Sequence, residues 1–202
     1  MSRFRQLIFQ NEVRVAEPRC EMDRFVPVYQ FSEFHSTRVL SSAERVYRAI
    51  KEVTADEIFL FRTLTWIRRC GCSGPKSILN PPHHQPVLEV ATESSFVVLA
   101  ELPFRELVLG TVVVAPAGWE WSRDRSIARF QSITGPGFAL AAMNFLIEEE
   151  SGGCILSTET RIYCTDGRTR KKFGVYWRAI YPGSAFIRRM WLRAIVRRAG
   201  VT

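Results

Sequence analysis

Glu159 and Arg161 stand two apart in the segment Cys154–Tyr163, with Ser157 and Tyr163 in the same phase. On a strand that spacing puts all four on one face, opposite Leu156, Thr158, Thr160 and Ile162. If the face is wet, the pair is a polar ladder with a weak ion pair. If it is buried, the charges must pair, and they could orient a ligand. The threonines dilute the contrast between the two faces, so both choices stay open. Glu101 and Glu106 flank the turn at 102–105, and Glu101 follows three apolar residues. A buried carboxyl there would titrate high and could do acid–base work. Paired with Arg105 or Arg161 it would be structural only. His35, between Phe34 and Ser36, could be a cavity base. No other His or Cys has a defined spacing to it, so a structural histidine ranks first.

Cys70, Cys72, His83 and His84 supply four metal-type ligands within fifteen residues. Their Cys-x-Cys and His-His spacings differ from the common zinc patterns, and prolines interrupt the segment. No metal or cofactor is expected, and the stretch reads as a loop at a cavity mouth. A nucleophile elbow, a phosphate loop and a dinucleotide glycine fingerprint are all missing from the sequence.

The elements that must position these residues follow from periodicity. Residues 30–40 alternate as a strand. Ser41 and Ser42 offer caps for a helix carrying Val46, Ala49, Ile50 and Val53. Thr54–Glu57 looks like a second cap, followed by an apolar helix with Ile58, Phe59, Phe61, Leu64, Trp66 and Ile67. Gly and Pro break the chain over 70–85. Val87–Val90 is a candidate strand, Phe96–Leu102 and Arg105–Val114 a strand pair, and Trp119–Trp121 a strand or edge. Phe138–Ile147 and Cys154–Tyr163 form a hairpin turning through 148–153. Arg170–Arg198 is a long helix, with a kink or break expected at Pro182–Gly183. Its buried stripe is expected at Val175, Ile180, Ile187, Trp191 and Ile195. Strands grouped between helices indicate an α+β fold: an antiparallel sheet bent around the last helix. Small residues on the hairpin would leave room beneath that helix. Alternation allows Ala139 with Ala141, next to Met143, or Ala142 with Asn144 to face the space. Trp177 and Tyr181 would cover it. The expected cavity is about 300–1,000 Å³.

The chain has 202 residues and 47% hydrophobic composition, which fits one packed domain. Residues 1–28 read as an N-terminal extension and 29–202 as the domain. The net charge is +8, yet ten Lys or Arg and no acidic residue fall between Arg168 and Arg198. The rest is nearly neutral, with 18 basic against 20 acidic residues. Part of the basic cluster complements the helix dipole. A nucleic-acid or membrane-surface role is the sharper reading of it and ranks below the dipole reading, and a nucleic-acid partner is not expected. No apolar run reaches transmembrane length. Five cysteines without a signal peptide point to the cytoplasm.

Several strings resemble the START-like superfamily, also called SRPBCC or helix-grip. It includes birch-pollen-allergen-like proteins, polyketide cyclases and small bacterial proteins of unknown role. Phe34-His35 through Ser41–Ile50 resembles its first strand and helix. Leu99–Pro103 and Glu106–Gly110 resemble central strands. Pro136–Phe145, Leu156–Ile162 and Tyr176–Ser184 resemble its closing hairpin and helix. The resemblance covers roughly residues 29–200. It implies a sheet wrapped around the last helix and an apolar cavity for lipids, sterols or polyketides. The chain departs from the group in its N-terminal extension, its Gly/Pro-rich insertion and its lack of a glycine-rich phosphate loop. The function expected is binding of a small apolar ligand. Candidate lining residues are Glu101, Ala141, Met143, Glu159, Arg161, Trp177 and Tyr181. The alternatives are a cyclase- or hydrolase-type enzyme using Glu101, Glu159, Arg161 or His35, and an interaction module built on the basic helix.

Overall fold

Nine alternating residues at Phe31–Val39 form a strand because odd positions find an apolar face and even positions do not. In the computed structural model this strand, β3, is the edge of a five-stranded antiparallel sheet. The structure describes residues 12–61, 63, 65, 80, 82, 84–121 and 125–200. Ahead of β3 come β1 (Val13–Arg14), α1 (Met22–Phe25) and β2 (Val28–Tyr29). After it come α2 (Ala43–Glu52), a 3₁₀ turn (Ala55–Glu57) and α3 (Val87–Ser94). Then follow β4 (Val97–Leu102), β5 (Glu106–Val114), α4 (Ile127–Ser132), β6 (Ala139–Glu150), β7 (Gly153–Cys164) and α5 (Gly167–Gly200). The sheet order is β3-β7-β6-β5-β4. One long helix lies on a mostly up-and-down antiparallel sheet, which is the helix-grip arrangement.

The β6–β7 hairpin is longer than expected and turns at Ser151-Gly152. Gly152 has φ +81°. A Cβ on Gly153 would sit 2.2 Å from the Val39 carbonyl, so the turn closes against the end of β3 only because that residue is glycine. Ser42 caps α2 by accepting from the Arg45 N–H. Thr54 and Glu57 close a reciprocal capping box, as their spacing predicts. Most of the apolar helix expected after Ile58, including Leu64, Trp66 and Ile67, lies outside the described residues.

Four expectations change. Val87–Val90 is the start of a helix: Val87, Leu88, Val90 and Ala91 are buried while Glu89 faces out. A short apolar run does not separate strand from helix by pattern alone. Trp119–Trp121 lies outside any strand, and Trp119 meets Phe138 edge to face instead. Helix α5 continues unbroken through Pro182. Pro182 and Arg178, whose carbonyl the proline cannot bond, are both exposed, so water can serve that carbonyl. Finally, Val175 is 69% exposed, because the buried stripe runs through Phe173, Trp177, Trp191 and Ile195.

The sheet is covered on both faces. Odd residues of β6 and even residues of β7 face α5: Ala139, Ala141, Met143 and Phe145, with Leu156 and Ile162. The opposite face carries Val108, Leu140 and Ala142 and is covered by α4 and by residues 12–29. That segment is a strap held at its base by β1–β2 pairing and by Val15 N–H bonding the Pro27 carbonyl. Met22 at its centre is fully buried.

Candidate functional site

A strand that puts Phe31 on the helix face also puts Glu33, His35 and Val39 there. The antiparallel register sets Glu33 opposite Thr160 and His35 opposite Thr158. Thr160 in turn faces Met143, and Thr158 faces Phe145. Four of these six side chains are polar, in the middle of an interface otherwise made of aromatic and aliphatic groups. Helix α5 supplies the other half. Ser184 Oγ donates to Glu33 Oε2 at 2.9 Å, and His35 Nε2 lies 2.9 Å from Glu33 Oε1. Arg188, one turn on, donates through Nη2 to Thr160 Oγ1 at 2.8 Å and to the Met143 thioether at 3.0 Å. Its guanidinium lies 5.5 Å from the centre of the Trp191 ring, which packs on Phe145. Glu33 is 3% exposed, so both of its carboxyl oxygens are held by protein groups away from water.

The structure gathers some of the expected residues and separates others. Ala141 and Met143 face α5 on β6, and Trp177 and Tyr181 lie on α5 above Phe31 and beside Glu33. Trp177 packs 6.0 Å from the rings of both Phe31 and Tyr181. Burial, with the Glu33 charge added, pushes the Tyr181 phenol up. Glu101 is on the same face at the far edge, in register with Leu107. Four strand spacings, about 19 Å, separate it from His35. It is exposed, receives hydrogen bonds from Lys51 (2.7 Å) and the Tyr47 hydroxyl, and is held low by both. Neither Arg105 nor Arg161 pairs with it.

Glu159 and Arg161 point away from α5, under the strap. Arg161 Nη1 donates to Asp23 Oδ1 at 2.6 Å and Nη2 to Glu159 Oε2 at 3.1 Å. The guanidinium sits 4.7 Å from the Tyr29 ring centre. Burial opposes its charge, but the bonds and charges of Glu159 and Asp23 outweigh that and raise its pKa. Beside it Glu106 accepts from the Glu21 N–H (2.6 Å), the Met22 N–H (3.4 Å) and Asn144 Nδ2 (2.7 Å). This second buried cluster binds the strap to the sheet and does not reach the helix face.

Sequence reasoning missed Glu33, Ser184 and Arg188. The alternation Phe31-Glu33-His35 carried the first, because a carboxylate shares the phase of an apolar residue. Arg188 carried no separate signal, since Arg189 beside it is exposed.

Other chemistry finds less support. Burial pushes the Cys20 and Cys164 thiols up to about 12, so neither is a thiolate at neutral pH. Among the described residues, no cluster of three His, Cys, Asp or Glu could hold a metal. Cys70, Cys72 and His83 lie outside them. A groove of about 820 Å³ opens between α2, the 3₁₀ turn and the end of α5. Its walls are charged, and Arg198 pairs there with both Glu52 and Glu57. It is not an apolar pocket. Among the described residues no helix is long and apolar enough to cross a membrane.

The helix-grip class is therefore defined by topology, in agreement with the START-like resemblance of the sequence. No protein-family model matches the chain, and no curated protein sequence does. Solved structures do match. CalU16 from Micromonospora echinospora is 15% identical over 94% of this chain and 92% of its own, with a TM-score of 0.32. A protein from Rhizobium leguminosarum is 12% identical over 80% and 94%, with a TM-score of 0.35. The di-domain ARO/CYC StfQ of the steffimycin biosynthetic pathway is 11% identical over 84% and 52%, with a TM-score of 0.30. These likenesses are distant.

Proposed function

We propose that the protein binds a small, mainly apolar molecule between its sheet and α5, in the cytoplasm. One observation carries this reading: the polar row Glu33, His35, Thr158, Thr160, Ser184 and Arg188 is set inside an apolar interface floored by Ala139 and Ala141. A purely structural core is filled with aliphatic side chains, because each buried polar group needs a partner and costs free energy without one. A ligand site has the opposite composition, mostly apolar walls with a few convergent polar groups. Ala141, Met143, Trp177 and Tyr181 are its apolar frame. Free thiols at Cys20, Cys154 and Cys164 fit a reducing compartment.

The test is a thermal-shift and calorimetric screen with fatty acids, sterols and fused-ring aromatics. Binding should raise the melting temperature by mass action. An Ala141→Phe variant, whose ring would occupy the floor of the site, should lose that shift while still folding. If no compound stabilises the wild-type protein, the reading fails.

The Glu33–His35 pair favours a second reading, acid–base catalysis on the bound molecule. It requires turnover that disappears in Glu33→Gln and His35→Gln variants that still bind ligand. The exposed basic residues of α5, among them Lys171, Lys172, Arg178, Arg189 and Arg193, leave room for an acidic partner or membrane surface on its outer side.

A further inference from the structure

We infer that the ligand carries a hydrogen-bond acceptor oxygen, a carbonyl or carboxylate, seated between Thr158 and Trp191. The inference rests on the binding reading above and adds the chemistry of the ligand's head. Among the described residues, Thr158 Oγ1 and Trp191 Nε1 are buried and have no hydrogen-bond partner. Both residues are 2% exposed. Both border Phe145: Trp191 lies 5.3 Å from it, ring to ring, and Thr158 is its cross-strand partner. Most buried polar groups in folded proteins are paired, so two unpaired groups in one patch are a specific demand.

The chemistry of that demand is one-sided. An indole N–H can only donate, and a threonine hydroxyl can donate equally well. The nearby acceptor, Glu33, has both oxygens engaged, one by His35 and one by Ser184. The Arg188 guanidinium over the Trp191 ring, bonded to Thr160, adds positive potential on the same face. An incoming oxygen therefore meets donors, whereas an incoming ammonium meets donors and a cation. The small side chains of Ala141 and Ala139 lie on the same sheet face, four and six residues from Phe145, and the apolar body of the molecule would extend toward them.

The experiment uses three compounds of nearly equal shape with the full chain: methyl naphthyl ketone, ethylnaphthalene and naphthylmethylammonium. Affinities are measured by calorimetry. The ketone should bind about tenfold tighter than the hydrocarbon, the worth of satisfying buried donors. Ammonium should bind weakest. Thr158→Val, which nearly keeps shape and removes one donor, should shrink the ratio of ketone to hydrocarbon affinity. Ketone and hydrocarbon binding equally well would overturn the inference and leave the binding reading standing. Tightest binding by the ammonium would overturn it in favour of Glu33 as the anchor. If none of the three binds, the inference falls; the binding reading falls with it only when the wider screen also finds no ligand.

Discussion

On the outer face of the sheet, Glu106 receives two backbone N–H groups and Asn144, while Arg161 joins Asp23 to Glu159. On the helix face, a row of similar residue types leaves Thr158 Oγ1 and Trp191 Nε1 with no partner. Both clusters are buried and both sit at the middle of the same strands. Asn144 and Met143, adjacent in sequence, belong to different ones. The outer cluster is nearly closed, Arg161 Nε being its one unbonded atom. A closed network ties elements together. An open one costs stability until something completes it. The number of unmet hydrogen bonds, and not the presence of charge, separates the outer cluster from the proposed site here. Charge alone points to Glu159 and Arg161 as anchors, because spacing reveals charges and not their partners.

The largest effect that could break this comparison is at Arg161. Arg161→Ala leaves Asp23 and Glu159 buried without a counter-charge, and removing one partner of a buried pair costs about 3–5 kcal/mol. Urea unfolding should show that loss, and limited proteolysis should cut the strap at residues 12–29. Ligand affinity on the other face should change little. A loss below about 1 kcal/mol would mean that the network holds nothing, and the contrast between the faces would collapse.

A smaller effect of the same kind follows from pH. Burial disfavours the Asp23 carboxylate, but the Arg19 N–H and the bond and charge of Arg161 outweigh it and set its pKa below the ordinary 3.8. A carboxyl with a depressed folded pKa contributes stability that is complete above its unfolded value and is lost as pH falls through its folded value. The strap should therefore be intact at neutral pH and loosen below about pH 3.8. Asp23→Asn should weaken the strap at neutral pH and flatten this acid limb. Hydrogen exchange at the amides of 20–26, read against those of Phe145 and Leu156, would show it. Equal acid sensitivity on the two faces would argue against a separate latch.

Long elements were legible because local pattern and tertiary fate agree in them. The hairpin of β6 and β7 runs for twelve residues in each strand around Gly152-Gly153, and α5 repeats large apolar groups through 34 residues. Which face of β7 meets the helix was not legible. Thr158 and Thr160 made the true inner face look only weakly apolar, and the cover on the other face comes from Asp23, 138 residues from Arg161. Nothing local to either residue announces that pairing. Val87–Val90 differs from the expected strand for another reason: a short apolar run fits a buried strand or a buried helix, and packing alone decides. Arg188 and Arg189 differ only in where the helical phase points them.

The smallest effect is the most discriminating. Thr158→Val replaces a hydroxyl that bonds nothing with a methyl of almost the same size. At a structural position with a satisfied hydroxyl, the change would cost roughly 0.5–1.5 kcal/mol. At a position whose hydroxyl is already unpaired in the free protein, the valine removes a buried polar group and loses no bond. Stability of the unliganded protein should then be unchanged or slightly higher, by a few tenths of a kcal/mol up to about 1 kcal/mol. Asn144→Leu offers the matched outer-face control. It strips Glu106 of a donor and the Glu159 N–H of an acceptor, and so should destabilise by more than 1 kcal/mol. The two variants should move the urea midpoint in opposite directions or, at the least, by clearly unequal amounts. Equal losses would show that Thr158 is as fully engaged as Asn144, and the distinction between a closed face and an open one would no longer hold.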